Sequence, residues 1–342
     1  MSKHSAYAEA GVDIEAGNRA TMLMKSAVQA TFGPEVLSGV GAFGGLYSVG
    51  KLKHMESPTL VASTDGVGTK TKVAATLNRW DTIGYDIVNH CVNDILVQGA
   101  KPLFFLDYVA SARVEPEQIA MIVAGVAAAC EVAGCALLGG ETAEMPDIYH
   151  EGAVDLVGTV VGVVDRPDII NGQRIEAGDV ILGLPSTGLH TNGYTLARRV
   201  LAGLGWNSVH PDLGMSVGEA LLAPHRVYLA EIGCLLEAHV DIRGLAHITG
   251  GGLIDNPPRI FPDGLGARIQ RGTWPEPPIF DLIQQLGQID SQEMFQVFNM
   301  GLGMLIIVPA ADGALVQELL GNHVYVVGEM ISGHKKVEIG DS

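Results

Sequence analysis

Apolar residues in the first half of the chain fall into two kinds of segment. Short uninterrupted runs predict buried strands at residues 59–64, 103–110, 136–138 and 156–164. Longer segments with helical spacing predict helices at residues 81–98 and at Pro116–Ala133, where proline occupies the first turn. A glycine-rich loop is predicted at residues 36–45. Glycines at the ends of apolar runs are typical of an α/β or α+β protein whose loops contact ligands.

The pattern breaks between residues 165 and 178, where turn-forming residues are frequent. We expect a domain boundary there, with a first domain at 1–168 and a second at 169–342. Strands are then predicted at 178–184, 244–248 and 304–308, and helices at 194–204 and 221–238. The proline cluster at 274–278 predicts a surface excursion. The sequence thus indicates two mixed domains of the α+β or α/β class.

The composition excludes some functions. Hydrophobic residues make up 47% of the chain and charged residues 17%, which supports a large packed core and argues against disorder. With 21 Lys and Arg against 38 Asp and Glu, the net charge is −17, and no basic stripe for non-specific nucleic-acid binding occurs. No uncharged apolar stretch reaches the roughly 18 residues of a membrane helix. We expect a cytoplasmic protein with neither a nucleic-acid nor a membrane partner.

The four cysteines lie in apolar surroundings without a CxxC pair. They are Cys91, Cys130, Cys135 and Cys234. We expect buried thiols rather than a disulfide framework or a zinc site.

The segment TDGVGTK at residues 64–70 follows a predicted buried strand. Gly66 and Gly68 let the backbone approach a phosphate closely, and Thr69 and Lys70 supply donors. Asp65 is then placed to hold a metal. The segment is not a Walker A loop. Taken alone, it is equally compatible with a plain turn capped by aspartate.

Other carboxylates in the first half of the chain favour a phosphate-binding site over a plain turn. Asp94 lies in the predicted helix at 81–98, Glu141 follows the strand at 136–138, and Asp107 lies within an apolar strand. Each alone is more often a helix cap or a solvated side chain. Because Mg²⁺ prefers oxygen ligands, several carboxylates around nucleotide phosphates indicate a phosphoryl-transfer site.

Two loops of the second half combine glycines with polar side chains. Residues 186–194 read STGLHTNGY, and residues 247–252 read HITGGG. Such loops at helix starts suit a phosphate or a polar head group. His190 and His247 become candidate proton carriers, although a lone histidine is more often structural. Lys25, on a helical stretch, is by spacing alone more often a solvated residue.

Together these motifs resemble the AIR synthetase family, the phosphoribosylformylglycinamidine cyclo-ligases. The resemblance covers nearly the whole chain, in order and at the expected spacing, and the set of blocks is very specific. The blocks lie at residues 7–18, 41–46, 63–70, 91–98, 103–108, 139–146, 186–194 and 247–252.

The resemblance implies a reaction and its requirements. Formylglycinamidine ribonucleotide (FGAM) and ATP would give aminoimidazole ribonucleotide (AIR), ADP and phosphate in purine synthesis. ATP would activate the formyl oxygen as a phosphate ester, and the amidine-derived nitrogen would close the ring. ATP and Mg²⁺ are implied as cofactors, and a requirement for K⁺ is left open.

The resemblance also implies a fold. A mixed sheet in an N-terminal domain for ATP, Mg²⁺ and dimerisation would form a barrel across a homodimer. A C-terminal α/β domain would bind the small-molecule substrate through a glycine-rich loop.

Site roles follow residue by residue from the same resemblance. Asp65, Asp94 and Glu141 match metal and nucleotide positions. Gly66, Gly68, Thr69 and Lys70 match the phosphate loop. Lys25 matches a lysine that reaches the nucleotide phosphates and, with His190 and His247, is expected to be catalytic. Substrate contacts are implied at Ser186, Thr187, Gly188, His190, Thr191, Asn192, Gly250 and Gly251.

The chain departs from the family pattern near the glycine-rich loop. Gly33 precedes Pro34 where a basic residue is expected, and Ser38 and Ala42 replace glycines. These departures leave the residues of the chemistry intact and affect only the loop that the resemblance implies covers the nucleotide.

Three alternative functions would leave different features in the sequence. A selenophosphate synthetase would carry cysteine or selenocysteine shortly before the N-terminal lysine, and no cysteine precedes Cys91. A thiamine monophosphate kinase would lack the blocks at 141–146 and 186–194 in this form. A non-catalytic nucleotide-binding dimer would have no need to retain all the site residues.

Overall fold

The computed structural model describes residues 11–341, and residues 7–10 of the first block lie outside that range. The chain forms two compact units. Of the described residues, the first unit holds those up to Ile95 together with Lys101–Pro167. The second holds Leu96–Ala100 and the residues from Asp168 onward.

The first unit contains one mixed sheet and four α-helices among its described residues. The strands are β1 (Pro58–Gly66), β2 (Lys101–Ser111), β3 (Ala136–Glu144) and β4 (Val154–Asp165). The helices are α1 (Ile14–Ala30), α2 (Thr71–Leu77), α3 (Ile83–Leu96) and α4 (Pro116–Ala133). All four predicted strands and both predicted helices are confirmed, although β3 extends well past residue 138.

The sheet of this unit has the strand order β1-β4-β2-β3. β2 and β3 are parallel, whereas β4 pairs antiparallel with both β1 and β2. Helices α1, α3 and α4 cover one face. Gly84 lets α3 cross α4 closely, because a Cβ atom there would lie 2.2 Å from the backbone nitrogen of Val126. Side chains on one face of the sheet therefore meet α3, and those on the other face do not.

Helix α4 is long and apolar enough to cross a membrane by length and composition. Half of that 18-residue window is buried inside the protein, as in the core helix of a globular domain. The helix also contains Glu117 and Glu131, and it packs against α1 and the sheet.

The second unit is built around a six-stranded sheet. Its strands are β5 (Val180–Pro185), β8 (Gly244–His247), β9 (Leu265–Arg271), β10 (Leu302–Val308), β11 (Tyr325–Ser332) and β12 (Val337–Asp341), and β6 (Val209–His210) and β7 (Met215–Ser216) form a separate pair. The helices are α5 (Tyr194–Val200), α6 (Val217–Leu222), α7 (Leu229–Glu237), α8 (Gly252–Asp255), α9 (Pro278–Gly287), α10 (Ser291–Val297) and α11 (Gly313–Leu320).

The order of the large sheet is β12-β9-β11-β5-β10-β8. Only β12 and β9 pair in parallel. The expected α/β character of this domain is therefore wrong in detail, because the sheet is mixed and mainly antiparallel. Its core includes Leu182 and Leu184 of β5, Ile306 of β10 and Ile232 of α7. The sites of interest lie in the loops that follow β5 and β8.

Two predictions for the second half are corrected by the structure. The helix expected at 221–238 is broken into α6 and α7, because Pro224 interrupts it. The proline cluster is not wholly a surface excursion, because Trp274 is buried and its indole N–H donates to the carbonyl of Met300. The cysteines are free thiols, buried at Cys91, Cys130 and Cys135 and half-buried at Cys234.

Candidate active site

The first cluster lies where β1 ends. Alternate residues of β1 face α3, so the carboxyl-terminal part of the strand directs Ser63 and Asp65 toward that helix. His90 Nε2 lies 3.0 Å from an oxygen of Asp65 and 3.7 Å from one of Asp94. The Ser63 hydroxyl donates to Asp94 at 2.9 Å. Two carboxylates thus converge on one point, which is the donor set that Mg²⁺ prefers.

Electrostatics favour the ionised forms in this cluster. Burial alone would lower the pKa of His90, but the bond to Asp65 and the neighbouring carboxylates raise it above its ordinary value. Burial would raise the pKa of Asp65, but the bond from His90 and the N–H of Gly66 hold it below its ordinary value. The protonated imidazole of His90 and the ionised carboxylate of Asp65 therefore stabilise each other.

Sequence reasoning missed His90. It is four residues before Asp94 on α3, so the two side chains share one helix face. That spacing was the signal that could have identified it.

Glu141 does not join Asp65 and Asp94 within one chain. β1 and β3 are the outer strands of the sheet, with β4 and β2 between them, so at the usual strand spacing they lie about 14 Å apart. The register aligns Glu141 with Tyr108, Val157 and Gly66, one row beyond Asp65, so its side chain belongs to the opposite face. The grouping of three carboxylates expected from sequence is not what one chain forms.

Lys70 has a different environment from that of a surface phosphate donor. Gly66 ends β1, and residues Gly68–Lys70 form a 3₁₀ turn that leads into α2. The turn directs Lys70 inward, where its ammonium donates to Asp86 of α3 at 2.8 Å with both side chains fully buried. Burial lowers the pKa of Lys70, and the charge of Asp86 opposes that shift. In this structure the pair connects the loop after β1 to the helix that carries Asp94.

Four further candidates of this unit are Lys25, Gly68, Thr69 and Asp107. Lys25 is exposed on α1. Gly68 has a φ of +68° and open space around its α-carbon, and Thr69 is half-buried. Asp107 lies on the helix-covered face beside Gly140, and burial raises its pKa to about 7.

The second cluster begins in the loop after β5. Asn299 holds this loop, because its amide donates to the carbonyl of Gly188 at 2.8 Å and its oxygen accepts from the Ser186 hydroxyl at 2.9 Å. The Thr187 hydroxyl donates to the carbonyl of Pro224. Gly188 has a φ of +146°, and His190 adopts a left-handed φ of +61°, an unusual conformation for a residue other than glycine. The loop thus places His190 inside the unit.

The hydrogen bonds of His190 fix its tautomer. Its Nε2 accepts from the backbone N–H of Thr187 at 3.2 Å and from that of Arg226 at 3.5 Å. Because backbone N–H groups only donate, the proton of the neutral ring lies on Nδ1. Any proton that His190 supplies therefore comes from Nδ1.

The structure brings His190 and His247 into one cluster through a third histidine. The ring of His225 stacks on His190, with 4.0 Å between centroids, and its Nε2 lies 3.0 Å from Nε2 of His247. Its Nδ1 lies 3.3 Å from Oγ1 of Thr191. All three rings are buried. Sequence reasoning missed His225 because the residue was assigned to a continuous helix, and Pro224 was the overlooked signal.

The loop after β8 lies beside this cluster. Asn256 organises it by accepting from the N–H of Thr249 at 2.7 Å and donating to the carbonyl of Gly250 at 3.1 Å. A Cβ atom at Gly250 would lie 3.1 Å from Oδ1 of Asn192, so the two glycine-containing loops are adjacent. Gly251 has a φ of +106°, which permits the sharp start of α8.

The match to known proteins covers both units. Residues 49–164 match the N-terminal domain and residues 176–340 the C-terminal domain of AIR synthase related protein. The chain belongs to the AIR synthase related family.

Among its relatives, the phosphoribosylformylglycinamidine cyclo-ligase of Desulfitobacterium hafniense is 52% identical over 333 residues, covering 96% of this chain and 97% of the relative. Hydrogenase maturation protein HypE in complex with ATP has a similar fold, with a TM-score of 0.66 and 19% identity, covering 98% of this chain and 94% of that one. Thiamine-monophosphate kinase from Stenotrophomonas maltophilia has a TM-score of 0.65 and 17% identity, covering 93% and 95%.

Proposed function

We propose that this chain is an ATP-dependent cyclo-ligase of the cytoplasm that converts FGAM to AIR, with release of ADP and phosphate, in purine synthesis. The observation that carries the proposal is the identity of 52% across 96% of the chain to a cyclo-ligase. Thiamine-monophosphate kinase shares the fold at only 17% identity, which supports no likeness of substrate.

In this proposal the first unit handles the nucleotide. Asp65 and Asp94 would hold Mg²⁺, which would neutralise charge on the ATP phosphates. The phosphate loop at 64–70 would contact those phosphates through backbone N–H groups. Lys25 is exposed and able to reach a ligand, whereas Glu141 lies on the other face of the sheet.

The second unit would handle the ribonucleotide and the proton transfers of ring closure. An amide oxygen leaves poorly until it is phosphorylated, and closing the ring then requires a proton to leave the attacking nitrogen. His190 can donate from Nδ1, and His247 is the remaining candidate acid or base. Residues 186–192, which include His190, would bind the polar substrate through their hydroxyl and amide groups.

The proposed activity is tested by two assays on the same purified protein. ADP release is measured with ATP and Mg²⁺, with and without FGAM, and AIR is measured by a diazo colour reaction. We expect ADP release that depends on FGAM and equals AIR formation. Thiamine monophosphate serves as the control substrate. ATP binding without FGAM-dependent turnover would contradict the proposal.

We further propose that two copies of the chain pair through the face of the first sheet on which no α-helix lies among residues 11–341. Leu60 and Leu106 are exposed there, at 62% and 37%. The half-buried Phe104 and Tyr108 lie on the same face, and β1 and β3 are its outer strands among the described residues. An apolar sheet face with two unpaired edges fits a second copy of itself, and joining two such sheets would close the barrel expected from the resemblance.

The pairing predicts a specific effect of charge on this face. We expect Leu60→Glu to convert a dimer to a monomer in analytical ultracentrifugation, because the carboxylate would be buried without a partner. Val132→Glu is the matched control, since Val132 is 70% exposed on α4. A wild-type monomer, or equal dissociation by both variants, would contradict this pairing.

A further inference from the structure

We propose that His225 is a positioning residue that sets the orientation and the tautomer of His247. The inference deepens the proposed function and rests on it, because it concerns the histidines assigned there to proton transfer. His225 touches both of them, and its Nδ1 also lies beside the hydroxyl of Thr191.

The backbone around His225 is firmly held. The residue lies in the link between α6 and α7 and is 1% exposed. On one side, Pro224 accepts a hydrogen bond from the Thr187 hydroxyl. On the other side, the guanidinium of Arg226 and the hydroxyl of Tyr228 both donate to the carbonyl of Pro185, at 3.0 and 3.1 Å. The imidazole therefore has little freedom to move or to turn.

The short contact between the two histidines demands complementary tautomers. At 3.0 Å between Nε2 atoms, one ring must donate a proton and the other must accept it, since two protonated nitrogens would repel. A neutral ring has one donor and one acceptor nitrogen. The tautomer of His225 thus determines that of His247.

Thr191 controls the other end of this arrangement. If the hydroxyl of Thr191 accepts from Nδ1 of His225, then Nε2 of His225 accepts from His247, whose own Nδ1 becomes the basic nitrogen. If the hydroxyl donates instead, Nδ1 of His247 carries the proton. A residue of the substrate loop is thereby coupled through His225 to the role of His247, with no change in net charge.

His225 also explains how His190 and His247 can differ. His190 is tied by backbone N–H groups to one tautomer, and His225 stacks on its face. His247 instead receives its tautomer from a side chain that can take either form. One histidine is fixed and the other is adjustable.

Three substitutions separate the contacts of His225. Glutamine places a polar group where Nε2 lies and keeps the bond to His247, whereas asparagine places one where Nδ1 lies and keeps the bond to Thr191. Phenylalanine keeps only the stacking on His190. Since Gln and Asn are similar in polarity, a difference between them reports which nitrogen matters. His323→Gln, at an exposed histidine of the same unit, is the control.

The experiment measures steady-state cyclo-ligase kinetics and the ¹⁵N spectrum of the histidine rings. We expect His225→Phe and His225→Asn to lower kcat by about 10- to 100-fold, the scale of a misplaced reacting group, with KM for ATP within about twofold. We expect His225→Gln to restore kcat to within about fivefold of wild type. Nitrogen shifts of His247 should be similar in the wild type and in His225→Gln, which keeps a polar group beside Nε2 of His247, and should change in the other two variants.

Equal kcat in the Gln and Asn variants, or His247 shifts unchanged in the Phe variant, would overturn the proposal. A wild-type protein with no FGAM-dependent turnover would overturn the proposed function instead. In that case the ¹⁵N comparison still decides whether His225 sets the tautomer of His247.

Discussion

Asp94→Asn is expected to abolish cyclo-ligase turnover while leaving the protein folded. The change removes one of two carboxylates that converge beside His90, and with it the charge that would hold Mg²⁺ against the nucleotide. We expect kcat to fall by at least about 10²- to 10³-fold, as when one preorganised electrostatic group is lost. More Mg²⁺ should be needed for the remaining activity. The measurement is the rate of AIR formation as a function of Mg²⁺ concentration.

The fold should tolerate this substitution. Asparagine keeps an oxygen that can accept from Ser63, and the Asp94 side chain is 28% exposed, so the free energy of unfolding should change by no more than about 1 kcal/mol. Asp81→Asn is the matched control, since Asp81 precedes the same helix and its side chain is 53% exposed. A normal rate in Asp94→Asn would remove Asp94 from the metal site.

The positions of the four strands and of helices α3 and α4 in the first unit follow from the sequence because apolar runs and helical spacing mark them. β1 and α3 were predicted close to their observed bounds, but it is the packing of α3 against the sheet that brings Asp65 and Asp94 together beside His90. In the second unit, β9, β11 and β12 were not predicted. Apolar and polar residues alternate in β9 and β12, so no apolar run marks those two strands, whereas the apolar run at residues 324–327 that leads into β11 was overlooked.

Side-chain direction is the part that the sequence does not determine. A lysine after a glycine-rich turn has the same local pattern whether it faces a phosphate or a buried aspartate, and only tertiary packing against α3 decides for Lys70. The motif around Glu141 is part of strand β3, and the register of that strand decides on which face of the sheet the Glu141 side chain lies. The position of His225 depends on the interruption of the predicted helix at Pro224, which the helical spacing of the apolar residues did not indicate. Each of these three residues belongs to a segment that the sequence analysis considered, but its contacts in the structure were not predicted.

The buried pair of Lys70 and Asp86 has the largest expected effect on stability. Both side chains are fully buried, so Lys70→Met would leave the carboxylate of Asp86 without its ammonium partner. We expect each single change, Lys70→Met or Asp86→Leu, to lower the free energy of unfolding by about 3–5 kcal/mol. The double variant should regain most of that loss, since removing both charges removes the cost of burying either one. Urea denaturation measures the free energy of unfolding of all three variants. A loss under about 1 kcal/mol in the single variants would mean that the Lys70–Asp86 pair does not stabilise the fold.

The double variant also separates the two roles considered for Lys70. If Lys70 only connects the loop after β1 to α3, the double variant should bind ATP with an affinity within about threefold of wild type, because its loop remains in place. If its ammonium contacts the phosphates, as the family resemblance implies, the well-folded double variant should lose ATP binding, because removal of one buried charged hydrogen bond costs several kcal/mol. Titration calorimetry with ATP and Mg²⁺ on the double variant distinguishes these outcomes. The buried contact with Asp86 leads us to expect the first.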